Sequence, residues 1–235
     1  MKLNYIGTAM AVALIATVSQ ADETRLIETV RPFVGKVAGA QKELPGERRE
    51  MLSDVAAYIV KRLEADQAAN LVFICTHNSR RSHLAQVWCQ VAAEYYGIGD
   101  LKTFSGGTEA TACNIRTVRA LRRAGLSVAA STTGENPVYL IQYADDKPPI
   151  RAYSKKYTEE GNPSEKFAAM MCCSEADQHC PNVMGADGRF PLHYEDPKSA
   201  DSTPQEAARY DERSFQIATE MFFTMSLVAE RLQTK

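Results

Sequence analysis

The segment from Leu71 to Ser82 constrains the chain more than any other. Four apolar residues, Leu71-Val72-Phe73-Ile74, end on Cys75, and a polar turn, Thr76 to Arg80, leads into Arg81 and Ser82. A short apolar run without alternation reads as a strand buried on both faces, and Leu84, Val87, Trp88, Val91 and Tyr95 then recur at helical spacing. The turn therefore sits at a helix N-terminus. Free backbone N–H groups and the positive end of the helix dipole converge there; they hold an anion and favour thiolate over thiol. Arg81 adds a planar fork matched to two oxygens of a tetrahedral oxyanion, and Ser82 is placed to hydrogen-bond the sulfur. The competing reading is a structural cysteine beside solvated arginines.

The frame Cys75-x-x-Asn78-x-x-Arg81-Ser82 resembles the catalytic loop of low-molecular-weight protein tyrosine phosphatases and of the thioredoxin-coupled arsenate reductases that share their fold. The resemblance runs from about residue 70 to the C-terminus. It implies an α/β domain, a doubly wound and mainly four-stranded parallel sheet, with Cys75, Arg81 and Ser82 catalytic and Thr76, His77, Asn78, Ser79 and Arg80 around the oxyanion. Two positions depart from the family: glycine is usual at His77, and a second cysteine is common at Arg80. Histidine tolerates positive φ better than most residues, so the loop is expected to close at His77. Both side chains add positive charge near Cys75 or narrow the pocket.

Strands alternating with helices place ligands beyond the carboxyl ends of the strands. Leu101-Lys102-Thr103-Phe104 reads as a second strand running into the turn Ser105-Gly106-Gly107. Phe167 to Cys172 reads as another, and Phe190-Pro191-Leu192 as the last. Cys75, Ser105, Cys173 and Asp196 each follow one of them and can meet at one edge. In the family a serine at the position of Ser105 helps hold the catalytic loop; a plain tight turn is the alternative. Residues 132–161 form an insertion with the signals of a β-hairpin, expected at the rim of the site. Thr203-Pro204-Gln205-Glu206 is a capping box before a long last helix.

Residues 22–69 read as a helical extension packed on the core, its first helix interrupted by Pro32 and its second starting near Pro45. Residues 1–21 differ from everything after them. Lys2, an apolar run and Ser19-Gln20-Ala21 have the layout of a secretory signal peptide, which predicts export to a periplasm-like compartment, the membrane being met only through that signal. A buried N-terminal helix in a cytoplasmic protein is the alternative.

A net charge of −2 gives no electrostatic case for nucleic acid, and the arginines at 116, 119, 122 and 123 read as a solvated helix face. No pair of CxxC motifs is present and the histidines do not cluster with cysteines, so neither metal nor cofactor is expected. Where related reductases carry a glutamate that assists potassium, this chain has Gln86.

The resemblance implies two chemistries. As a phosphatase, Cys75 attacks the phosphorus of a phosphomonoester and Asp196, in the Asp196-Pro197 pair, protonates the leaving group. As an arsenate reductase, Cys75 attacks arsenate, Cys173 attacks Cys75, and Cys180 takes Cys173 into a disulfide that a thioredoxin-like partner reduces. Cys173 and Cys180 carry the Cys-x6-Cys-Pro spacing of those reductases, with Cys172 assigned to the strand. Seven residues of intact helix rise about 10.5 Å, so the segment is expected to unwind on oxidation. A structural Cys173–Cys180 disulfide and a non-catalytic oxyanion or phosphopeptide binder are the remaining alternatives.

Overall fold

The structure, a computed structural model, describes residues 21–179 and 182–234. The export-signal stretch apart from Ala21 lies outside the described residues, and so do Cys180 and Pro181. Along the chain come α1 (Arg31–Ala40), α2 (Gly46–Glu64), β1 (Ala69–Cys75), α3 (Arg81–Tyr95), β2 (Leu101–Gly107), α4 (Ile115–Arg123) and β3 (Ser127–Ala130). They are followed by β4 (Tyr139–Gln142), β5 (Ile150–Ala152), β6 (Phe167–Met171), α5 (Ser174–His179), β7 (Ala186–Pro191) and α6 (Glu206–Gln233). Four strands make one wholly parallel sheet in the order β2-β1-β6-β7, flanked by helices. This is the α/β class that the sequence predicts.

β1 lies between two neighbours, and Leu71, Val72, Phe73 and Ile74 are fully buried. Burial of each is worth roughly 1.5–3 kcal/mol before conformational entropy is set against it. The central position also fixes where Cys75 emerges. Its register neighbours are Gly107 on β2 and, one step past the Ile74–Met171 pair, Cys172.

The second strand runs further than expected. Ser105, Gly106 and Gly107 continue β2 instead of forming a turn. A Cβ at Gly107 would stand 2.7 Å from the Thr76 carbonyl oxygen and 2.8 Å from the Asn78 nitrogen. The glycine therefore serves the close approach of two backbones rather than a bend. Residues 132–161 hold the expected hairpin, β4 against β5. They are joined by β3, which pairs antiparallel with β4 and which the sequence reading missed. Ser127-Val128-Ala129-Ala130 has one large apolar side chain, too little for a strand pattern.

Helix α6 carries Ile217, Met221, Phe222, Met225 and Val228 inward. The N-terminal helices close over it. Phe33 stacks on Trp88 with ring centroids 4.7 Å apart and meets Phe215 edge-on at 5.8 Å. Trp88 Nε1 donates to Ser214 Oγ at 2.9 Å. Pro32 does not interrupt the first helix but starts it, at a position where no intrahelical N–H is needed. The capping box is also redrawn: the Glu206 carboxylate accepts from the Ser202 N–H, and Gln205 is the N-cap residue.

Arg48 Nη2 lies 2.6 Å from Glu220 Oε2, with the Glu220 side chain 2% exposed. Arg48→Met would strand that carboxylate in the interior. We expect a loss of about 3–5 kcal/mol in urea unfolding, and a loss below 1 kcal/mol would show the pair to be dispensable. No helix of the described residues is long and apolar enough to cross a membrane.

Candidate active site

Cys75 is the last residue of β1 and is 3% exposed. The chain then turns through Thr76–Arg80 and enters α3. Asn78 takes the positive φ of this turn, 45°, one residue beyond the expected His77. Asparagine is at home in that region because its short side chain bonds locally. The Asn78 Oδ1 accepts the Lys155 N–H at 3.0 Å, which leaves its amide nitrogen to donate to Ser82 Oγ at 2.9 Å. Ser82 Oγ stands 3.0 Å from Cys75 Sγ. With Asn78 donating to its oxygen, Ser82 keeps its own proton free for the sulfur and is placed to hydrogen-bond a Cys75 thiolate whenever one forms.

The loop is held from outside by its carbonyls. Thr108 N–H donates to Cys75 O at 3.2 Å, Glu109 N–H to Thr76 O at 2.8 Å and Asn114 N–H to Ser79 O at 3.0 Å. The hydroxyls of Ser154 and Thr111 both donate to His77 O, at 2.8 and 3.2 Å. With the carbonyls used outward, the amides remain. Among the described residues, no N–H from Thr76 to Arg80 has an acceptor, and the first N–H groups of α3 are unpaired as in any helix. A ring of such donors at a helix N-terminus is an anion site.

Arg81 completes it. Its Nη1 donates to the Tyr194 carbonyl at 3.1 Å, and Nη2 meets Asp196 Oδ2 at 2.9 Å. The buried Nε has no partner among the described residues. Arg80 and His77 turn elsewhere. Arg80 Nε donates to the Tyr210 hydroxyl at 2.8 Å, and its Nη2 lies 3.6 Å from Asp201. His77 Nε2 lies 3.6 Å from Glu109 Oε2, with its side chain 43% exposed. The side chains of both are thus engaged outside the loop. Asp196 spans the two arginines, with Oδ1 3.9 Å from Arg80 Nε, and it also accepts the Lys198 N–H.

Ser105 is fully buried, and its hydroxyl is 3.2 Å from His83 Nδ1 rather than on the loop. Burial, with Lys155 nearby, lowers the His83 pKa to about 3, so this imidazole is neutral. Cys173, 1% exposed, has its sulfur 3.5 Å from Thr76 Oγ1, which also donates to Glu175 at 3.0 Å. The Ala176 N–H points at the same sulfur from 3.4 Å.

Sequence reasoning missed Ser154, Lys155, Tyr194, Asp201 and Tyr210. All come from distant segments, and two belong to the insertion, whose Ser154 and Lys155 bond the loop at His77 and Asn78. Lys155 is 5% exposed, and burial, the first cause, lowers its pKa to about 8 from the usual 10.5. The unfolded chain then binds more protons between those values, so this lysine makes stability rise with pH across the interval. Relative to Lys155→Met, the wild type should gain roughly 3 kcal/mol between pH 8 and 10.5. Parallel urea titrations of the two proteins measure that difference, and a flat difference would place the ammonium in solvent.

No family model matches the chain. In sequence it is similar to the arsenate reductase of Halalkalibacterium halodurans, 25% identical over 136 residues that span 58% of this chain and 79% of that protein. The arsenate reductase of Bacillus subtilis is 24% identical over 143 residues, 61% of this chain and 84% of that protein. A low-molecular-weight protein tyrosine phosphatase from T. tengcongensis superposes with a TM-score of 0.43 at 18% identity, covering 70% of this chain and 99% of that one. The fold rests on the sheet order itself, not on that superposition.

Proposed function

We propose that this chain, which is similar in sequence to arsenate reductases and carries the loop frame Cys75-x-x-Asn78-x-x-Arg81-Ser82, reduces arsenate to arsenite with its own thiols. The Cys75 thiolate attacks arsenic and displaces hydroxide, while Arg81 and the loop amides hold the remaining oxygens. Cys173 then attacks the Cys75 sulfur. A disulfide forms, the sulfur–arsenic bond breaks, and arsenic leaves with the electron pair as arsenite. Cys180 next displaces Cys75 from Cys173, and a thioredoxin-like dithiol reduces the Cys173–Cys180 bond.

One observation carries the reading: the Cys173 sulfur lies 3.5 Å from the hydroxyl of Thr76, the residue after the nucleophile. A phosphatase has no use for a buried thiol there. A second reading, phosphomonoester hydrolysis, is supported by Asp196, a carboxylate 2.9 Å from Arg81 that could serve as the general acid.

The deciding assay gives the protein arsenate with thioredoxin, thioredoxin reductase and NADPH, and separately an aryl phosphate, in wild type and Cys173→Ser. Reduction requires arsenate-dependent NADPH oxidation that Cys173→Ser abolishes. If wild type oxidises no NADPH and aryl phosphate turnover survives Cys173→Ser, hydrolysis is the activity. Failure of both substrates leaves oxyanion binding.

A further inference from the structure

The sulfur nearest in register to Cys75 is that of Cys172, not Cys173. In the β1–β6 ladder Ile74 pairs with Met171, and the Cys172 N–H donates to the Ile74 carbonyl at 2.7 Å, continuing the ladder by one residue. Cys75 and Cys172 are therefore neighbours across two parallel strands, and the following pair is Thr76 and Cys173. The 3.5 Å contact between Thr76 Oγ1 and Cys173 Sγ bears out this register on its own. Paired residues in a parallel ladder share a face, and successive pairs alternate. Cys172 thus shares the face of Cys75, while Cys173 shares that of Thr76.

We infer that Cys172 is a resolving thiol for Cys75, closing a reversible Cys75–Cys172 disulfide when the nucleophile is oxidised by a hydroperoxide. Adjacent strands lie roughly 4.8 Å apart, within the Cα separation that a disulfide accepts and slightly wide for its Cβ atoms. Cys75 ends β1 and Cys172 is the first residue beyond β6, where the backbone has least to give up in closing that difference. A bond formed under such tension is readily reduced, as a protective link must be.

The chemistry balances without a further reagent. The Cys75 sulfur attacks the peroxide and takes up one oxygen as sulfenic acid, and the second oxygen leaves as an alcohol or water. Cys172 attacks the sulfenyl sulfur; the sulfur–oxygen bond breaks, the sulfur–sulfur bond forms, and the hydroxyl departs as water with the Cys172 proton. Burial first, then Cys75 and then Cys173, raise the Cys172 thiol well above its usual value, with Arg81 and Arg48 opposing. Oxidation of Cys75 to an uncharged sulfenic acid removes that repulsion when the attack is due.

The proposal rests on Cys75 being a reactive thiolate, not on which oxyanion it serves. The full chain is treated with hydrogen peroxide, digested without reduction and mapped by fragmentation mass spectrometry. Peptides 63–80 and 167–189 should be joined, with the link at Cys172. Cys173→Ser should form the same link. Cys172→Ser should instead carry Cys75 to the sulfinic acid, cutting the Cys75 labelled by iodoacetamide after dithiothreitol roughly tenfold. A link at Cys173 or Cys180, or unchanged recovery in Cys172→Ser, overturns the inference. Thermal unfolding checks that Cys172→Ser folds, and if it does not, the wild-type map alone decides. Absence of arsenate turnover in wild type would overturn the proposed reduction and leave this link standing.

Discussion

Cys75→Ser should abolish turnover of arsenate and of aryl phosphate alike, by roughly four orders of magnitude or more, as loss of a catalytic nucleophile does elsewhere. It should leave the anion cradle intact. The loop is held by carbonyl bonds from Thr108, Glu109, Asn114, Thr111 and Ser154, none of which involves the sulfur. Calorimetric titration with phosphate should therefore show binding within a few-fold of wild type. Residual turnover near the wild-type level would remove Cys75 from the reaction. Loss of phosphate binding would mean that the thiol, not the amides, organises the loop.

Arg81→Lys is the second large effect. A lysine keeps the charge but cannot bond Tyr194 O and Asp196 together through one rigid fork that still has a third donor, the buried Nε, without a partner among the described residues. We expect kcat/KM to fall by roughly 10²–10³, as on removal of a donor aimed at the developing charge, with phosphate affinity falling less. Arg80→Met is the control. Its guanidinium serves Tyr210 and Asp201, so its cost should appear as about 1–3 kcal/mol of stability, with a smaller loss of rate. If the two arginines changed places in these measurements, the assignment of the anion site would be wrong.

The strand, loop and helix around Cys75 were legible in the sequence because each is local: an apolar run, a polar turn and a 3.6-residue repeat. The spacing of Cys75, Arg81 and Ser82 needed nothing from elsewhere in the chain. What could not be read depends on register and on long loops. His77 and Asn78 are both tolerant of positive φ, and the choice between them is made by Lys155, whose amide captures the Asn78 side chain from 77 residues away. Ser105-Gly106-Gly107 has the composition of a turn, and only the approach of Thr76 and Asn78 makes it the end of a strand. The adjacency of Cys172 to Cys75 follows from the pairing of β1 with β6, which a one-residue slip would have reversed.

A loop held by its carbonyls before any ligand arrives has already met the cost of its shape. It measures charge and the tetrahedral outline, properties that phosphate and arsenate have in common. The abundant ion should then occupy the site most of the time as a competitive inhibitor, and a cell's phosphate status would set how fast arsenate is handled. On the proposed reduction, selectivity belongs to the step after capture, where arsenic leaves with the electron pair of its bond to Cys75 and phosphorus does not.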